Sequence, residues 1–98
     1  MNINTRKDGT KLTIGLEGRL DTTSAPELEA ALKEHLRGIT ELEMDFANLA
    51  YISSAGLRVL LAAMKLMKKQ GSMVVRNVNE TVMEVFEITG FADMLNIE

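Results

Sequence analysis

Two adjacent serines, Ser53 and Ser54, stand where an amphipathic helix is predicted to begin. The small residues Ala55 and Gly56 follow, and then apolar residues recur with the spacing of one helix face, at positions 57, 60, 61, 64 and 67. The free N–H groups at a helix start can donate either to a capping serine oxygen or to a phosphate. The residues alone therefore allow two interpretations, a helix cap or a serine that can be phosphorylated without loss of the fold, and capping serines are the commoner.

Other kinds of chemistry lack the residues that they need. The single histidine, His35, has no second metal ligand at a suitable spacing, and the chain has no cysteine. Neither a Gly-x-Ser-x-Gly nucleophile motif nor a glycine-rich loop with a phosphate-binding lysine is present. Glu41, Glu43 and Asp45 alternate along a predicted strand, as on a solvated face. We therefore expect no enzyme activity, no cofactor and no metal site.

Length and charge limit the classes of protein that the chain can belong to. Its 98 residues are expected to form one domain over positions 1–98. Eleven basic and fourteen acidic residues give a net charge of −3, without the basic surplus that nucleic-acid binding requires. The start of the chain lacks the apolar run of a signal peptide, and no apolar segment approaches the roughly 18 residues that span a bilayer. We expect a cytoplasmic protein that binds neither nucleic acid nor membrane.

The first half of the chain predicts two strands, a helix and a third strand. Asp8 and Gly9 indicate a two-residue hairpin turn before an alternating strand at positions 11–17. Ser24 to Glu27 has the pattern of a capping box, with proline in the first turn of the helix that follows. The next strand alternates apolar and acidic residues up to Phe46, and positions 47–52 are expected to form a loop.

The second half predicts the serine-led helix, a further strand and a third helix. The strand within positions 72–78 should run parallel to the preceding strand, since a helix connects the two. Asn79 is the expected cap of the third helix and Gly90 its end, and the apolar tail should dock on the core. The fold class is α/β, with a small mixed sheet, helices mainly on one face, and the order β-β-α-β-α-β-α followed by a short docked segment.

The order of elements, the motif GRLD at positions 18–21 and the motif ISSAGL at positions 52–57 together resemble the STAS family. Its best-known small members are bacterial anti-sigma factor antagonists. The central motif of that family usually reads Asp-Ser-Ser/Thr-Gly, and its first serine is phosphorylated. Alignment on Gly56 assigns this role to Ser54, with Ser53 as the second candidate; Ser53 replaces the family aspartate, and Ala55 replaces the second hydroxyl residue.

The resemblance implies a protein-binding module that is switched by phosphorylation. When unphosphorylated it would bind an anti-sigma factor that is also a serine kinase, and so release a sigma factor; a PP2C-type phosphatase would reset it. The implied partner-binding residues are Asp21, Thr22, Thr23, Ser53, Ser54, Ala55, Gly56 and Arg58. Two alternatives stay open: a constitutive STAS scaffold of a transporter or stress-sensing complex, in which the serines only cap a helix, and a small enzyme or nucleotide-binding domain.

Overall fold

The computed structural model describes residues 1–98 and confirms the predicted order of elements, with the docked segment forming a short fourth helix. The strands are β1 (Asn2–Asp8), β2 (Lys11–Leu20), β3 (Glu41–Ile52) and β4 (Ser72–Arg76). The helices are α1 (Ala25–His35), α2 (Ser54–Gln70), α3 (Glu80–Thr89) and α4 (Phe91–Met94). The strands form one sheet in the order β1-β2-β3-β4, in which β1 is antiparallel to β2 and the other neighbours are parallel.

The helices pack on one face of the sheet, as the alternation of the strands predicted. Leu12, Ile14 and Leu16 of β2 are buried on that face, and α2 and α3 add Leu60 and Phe86 to the same core. The opposite face of the sheet is polar. There, Arg76 Nε donates to Glu43 Oε1 at 2.6 Å across β3 and β4. Because this face lacks a covering helix, its charged residues remain in contact with water.

The turn between β1 and β2 lies one residue later than predicted. Asp8 pairs with Lys11, so the two loop residues are Gly9 and Thr10 rather than Asp8 and Gly9. Only Gly9 has a positive φ, of 62°, whereas Asp8 is still part of the extended strand. The prediction recognised the glycine that the turn needs but not its position within the turn.

The prediction of a loop at positions 47–52 was wrong, because β3 continues to Ile52. The pairing of β3 with β2 shifts register twice, between Gly15 and Glu17 and between Gly18 and Arg19. Each shift places an extra residue in β3, as in a β-bulge, and so the residues that face the core are spaced by three instead of two. Leu49 and Ile52 thereby remain buried. The longer strand carries the chain directly to the two serines.

The C-terminal half agrees with its predicted caps and docking. Asn79 Oδ1 accepts a hydrogen bond from the Val82 N–H at 2.8 Å and caps α3, which ends before Gly90. The tail docks through Leu95, which is buried, and through a parallel bridge between Val75 and Ile97. This bridge covers part of the outer edge of β4.

Candidate functional site

The ends of β2 and β3 bring the two sequence motifs together. Leu20 pairs with Ile52 in the sheet, and the Ser53 N–H donates to the Leu20 carbonyl at 2.9 Å. Asp21 and Ser53 therefore leave the sheet from adjacent strand ends. The sheet register thus places the loop that begins at Asp21 (the Asp21 loop, residues 21–24) beside the first turn of α2.

Asp21 organises its own loop as a hydrogen-bond acceptor. Its Oδ1 atom accepts from the Thr23 hydroxyl at 2.8 Å, from the Thr23 N–H at 3.0 Å and from the Ser24 N–H at 3.2 Å. The hydrogen bond from the Thr23 hydroxyl, followed by that from the Ser24 N–H, holds the pKa of Asp21 below its ordinary value. The carboxylate is therefore charged at neutral pH and held in a fixed position at the surface.

The predicted capping box of α1 is wrong, because the Ser24 side chain is engaged elsewhere. The Ser24 hydroxyl donates to the Arg19 carbonyl at 2.6 Å and accepts from the Asp21 N–H at 2.9 Å. Ser24 still occupies the N-cap position, but its side chain does not cap the helix. The buried Ser24 hydroxyl therefore ties the Asp21 loop back to the end of β2.

The two serines have different environments. Ser53 occupies the N-cap position of α2 with an extended backbone, and its hydroxyl oxygen is buried without a hydrogen-bond partner. Ser54 is the first residue of α2 and is exposed. No serine side chain caps α2, so the helix-cap interpretation of these hydroxyls is wrong. Of the two hydroxyls, the one on Ser54 is open to another protein.

The other implied partner-binding residues divide into two groups. Thr22, Ala55 and Arg58 line one groove between the starts of α1 and α2, of about 250 Å³, and Thr23 is exposed in the adjoining loop. Gly56 is buried against Leu20 and Ile52. Its place in the motif has a packing reason rather than a binding one.

The sequence interpretation missed a cation–π contact next to the site. The guanidinium carbon of Arg19 lies 4.3 Å from the ring centroid of Tyr51, and Arg19 Nε lies 3.9 Å from Asp21 Oδ2. Arg19 and Tyr51 are partners in the sheet, which requires β3 to extend beyond Phe46. Arg19 within the GRLD motif was visible, but the strand that presents Tyr51 was not predicted.

The arrangement offers a binding surface with an exposed hydroxyl. His35, the only imidazole, lies at the far end of α1 with its Nε2 atom 3.8 Å from Glu34 Oε2. Asp21 already accepts hydrogen bonds from Thr23 and Ser24 of its own loop. None of the helices combines the length and the apolar character needed to cross a membrane. The arrangement leaves the Ser54 hydroxyl open to solvent beside the hydrogen-bonded Asp21 loop.

Comparisons with known proteins agree on one family. The domain family described as "Mlab, STAS domain" matches residues 3–96. BtrV of Bordetella bronchiseptica, to which the role of an anti-sigma factor antagonist is ascribed, is 40% identical over 84 residues, covering 84% of this chain and 72% of BtrV. The anti-sigma-B factor antagonist of Bacillus subtilis is 29% identical over 98 residues, covering 99% of this chain and 90% of that protein.

The fold is also that of a solved anti-sigma factor antagonist. SpoIIAA in its unphosphorylated form superposes with a TM-score of 0.86 at 20% identity, covering 99% of this chain and 88% of that one. The phosphorylated form of SpoIIAA, a Bacillus cell fate determinant, gives a TM-score of 0.77 at 19% identity, covering 99% and 91%. With the family match over residues 3–96, these comparisons show that the chain belongs to the STAS domain family.

Proposed function

We propose that this chain is a cytoplasmic partner-switching module controlled by phosphorylation of Ser54. In its unphosphorylated state it binds an anti-sigma factor of the serine-kinase type and thereby releases a sigma factor. The kinase phosphorylates Ser54 and the complex dissociates, until a PP2C-type phosphatase restores the hydroxyl. The chain performs no catalysis of its own and needs no cofactor.

The observation that carries this proposal is the exposed position of Ser54 at the first residue of α2, beside the fixed Asp21 loop. A kinase can reach this hydroxyl without unfolding the domain. The relatives named as anti-sigma factor antagonists, and the solved phosphorylated form of SpoIIAA, support this use of the surface. The buried hydroxyl oxygen of Ser53 is the less accessible acceptor.

A phosphate on Ser54 suits the folded chain but not a bound partner. The first turn of a helix favours negative charge, and Arg58 lies one turn further along the same side of α2. The phosphate adds about −1.5 to −2 charges next to the charged Asp21. A partner surface that fits the neutral serine would have to desolvate both anions, which costs binding free energy. We therefore expect the fold to persist while the complex dissociates.

Mass spectrometry of the protein from its own cells, before and after phosphatase treatment, tests the site. A single phosphatase-sensitive phosphate on Ser54 is the expected result. Absence of phosphate during both growth and stress would favour the constitutive scaffold. A phosphate on Ser53 would reassign the acceptor.

Binding to the purified anti-sigma factors encoded in the same genome tests the switch. Ser54→Asp should retain the fold and lose binding, whereas Ser54→Ala should bind as the wild type does but resist phosphorylation. Ser53→Ala serves as the matched control: it should bind the anti-sigma factor and be phosphorylated as the wild type is. If Ser54→Asp bound as tightly as the wild type, charge at this position would not control the complex.

A further inference from the structure

A groove made of two adjoining parts runs between α1 and α2, starting at the Ser54 end of α2. Its first part, of about 250 Å³, contains Ala55 and Arg58. Its second part, of about 420 Å³, extends to Leu66. Glu29 and Val59 line both parts, so the two adjoin each other along α1 and α2. Between Ala55 and Leu66 the groove follows α2 for about 16 Å, or three helical turns.

The second part of the groove is apolar, and six of its eight lining residues are hydrophobic. The buried floor is formed by Leu32 of α1, by Leu36 at the C-cap of that helix, and by Val59 and Ala63 of α2. Leu66 stands at its edge with 44% of its surface exposed. An apolar depression of this kind favours a ligand that inserts aliphatic side chains.

Helix α2, which forms one wall of the groove, carries only positive charges. This helix carries Arg58, Lys65, Lys68 and Lys69 and contains no acidic residue, although the whole chain has a net charge of −3. None of these four cations takes part in an ion pair of the chain. The helix dipole accounts for Lys68 and Lys69 in the last turn, but not for Arg58 near the positive end.

Three of the four cations lie on one side of α2. Arg58, Lys65 and Lys69 share the exposed side of α2 that begins at Ser54. On the facing helix, Glu29 is neutralised by Lys33, whose Nζ atom lies 3.3 Å from Glu29 Oε1. The unpaired charge beside the groove is therefore positive on the α2 side and balanced on the α1 side.

We propose that this groove binds an amphipathic helix of the partner protein whose apolar side chains are flanked by Asp and Glu. Two packed helices leave a depression in which a third helix can lie, and three turns match the length of the groove. The carboxylates of the partner helix pair with Arg58, Lys65 and Lys69. For the identity of the partner the inference rests on the proposed function, and it extends the binding surface from Ser54 to Leu66.

A protein helix fits this surface better than an anionic membrane does. The apolar lining residues other than Ala62 and Leu66 are buried in the floor of the groove, where a flat bilayer surface would not reach them. A helix inserts its side chains into such a depression and buries them.

Titration of the full chain with two synthetic helical peptides of about fourteen residues tests the groove directly. Both peptides carry the same leucine stripe, flanked in one by Glu and in the other by Lys. The acidic peptide should bind saturably and shift the NMR signals of Val59, Ala62 and Leu66, and the basic peptide should not. Equal binding of both peptides, or no binding of the acidic peptide up to about 1 mM, would overturn the proposal.

Two variants, each with a matched control variant, separate the effect of charge from that of shape in the same titration. The double variant Lys65→Glu/Lys69→Glu should weaken the acidic peptide at least about tenfold, whereas Arg6→Glu/Lys7→Glu on the edge strand changes the net charge equally and should not. Ala62→Trp, at an exposed position that lines the groove, should block binding, and Ala62→Ser should retain it. Binding of phosphatidylglycerol vesicles that is lost in the Lys65→Glu/Lys69→Glu variant would instead identify a membrane surface and contradict the proposal.

The same variants distinguish this inference from the proposed function. If Ser54→Asp loses the anti-sigma factor while Lys65→Glu/Lys69→Glu and Ala62→Trp keep it, the groove proposal is wrong and the switch stands. If no anti-sigma factor binds the wild type but the acidic peptide occupies the groove, the assigned partner is wrong and the docking surface stands.

Discussion

Leu20 and Gly56 lie so close together that a β-carbon added at Gly56 would be 2.7 Å from Leu20 Cγ. Leu20 is the last residue of β2 and is fully buried, and Gly56 lies in the first turn of α2. The backbone at the start of α2 therefore packs directly on the Leu20 side chain at the end of β2. This contact holds Ser54 in a fixed position relative to the Asp21 loop.

Replacing Gly56 by alanine is expected to lower the free energy of unfolding by about 1–3 kcal/mol. The added methyl group would overlap Leu20 and also Ile52, whose Cγ1 atom lies 2.9 Å from the ideal β-carbon position. At an unconstrained helix position the same change raises stability by roughly 1 kcal/mol. The sign of the change in unfolding free energy therefore shows whether the close contact at Gly56 exists. Urea denaturation measures it. Gly15→Ala is the control, because its nearest neighbour is 3.9 Å away and little change is expected.

Ser53→Ala is expected to leave the free energy of unfolding unchanged or to raise it. The Ser53 hydroxyl is buried without a partner, so its removal deletes an uncompensated polar group rather than a helix cap. Asn79→Ala on α3 is the comparison, because Asn79 caps its helix and also donates to the Leu49 carbonyl at 2.7 Å. That variant should lose about 0.5–2 kcal/mol. Equal losses for the two variants in thermal and urea denaturation would show that Ser53 does cap α2 in solution.

The regular elements could be predicted because their patterns are local. The apolar spacing of α2, the Asn79 cap and Gly90 at the end of α3 depend on neighbours within one or two turns, and all three are confirmed. The open face of the sheet followed in the same way from the alternation in β3 up to Phe46. Short-range periodicity was therefore sufficient for the order of elements.

The failures have a common cause in contacts between distant parts of the chain. Beyond Phe46 the strand β3 is held by its pairing with β2, and two bulges in β3 remove the period of two. The Ser24 hydroxyl bonds to Arg19 instead of capping α1 because the loop folds back on the strand. The different exposure of Ser53 and Ser54 likewise depends on how α2 meets the sheet, which no local pattern encodes.

The contribution of Asp21 to stability should depend on pH. Its pKa lies below the ordinary value of 3.8 because the folded loop donates hydrogen bonds to the carboxylate, first from the Thr23 hydroxyl. A lowered pKa means that the ionised group stabilises the fold above about pH 4 and that this stabilisation is lost as the pH falls through the lowered value. The difference in unfolding free energy between the wild type and Asp21→Asn should therefore shrink on acidification. Urea denaturation at a series of pH values measures this difference.

The carboxyl carbon NMR signal of Asp21 gives an independent reading of the same effect. Thr23→Val removes the hydroxyl donor and should raise the pKa of Asp21 towards 3.8. Two results together would contradict this prediction. They are a difference in unfolding free energy between the wild type and Asp21→Asn that does not vary with pH, and an Asp21 pKa that is unchanged in Thr23→Val. The hydrogen bonds of the loop would then not stabilise the charged carboxylate.

Ser54→Asp should leave the fold slightly more stable while it mimics part of the phosphate charge. A negative charge at the first residue of α2 interacts favourably with the helix dipole, which contributes about 0.3–1 kcal/mol, and Arg58 one turn later can add about 0.2–0.5 kcal/mol. Ser54→Lys should have the opposite sign, and Arg58→Gln should remove part of the gain. Chemical denaturation of these variants measures the change in unfolding free energy that each substitution causes. A loss of more than about 1 kcal/mol in Ser54→Asp would mean that any loss of partner binding reflects damage to the fold instead of a switch at the interface.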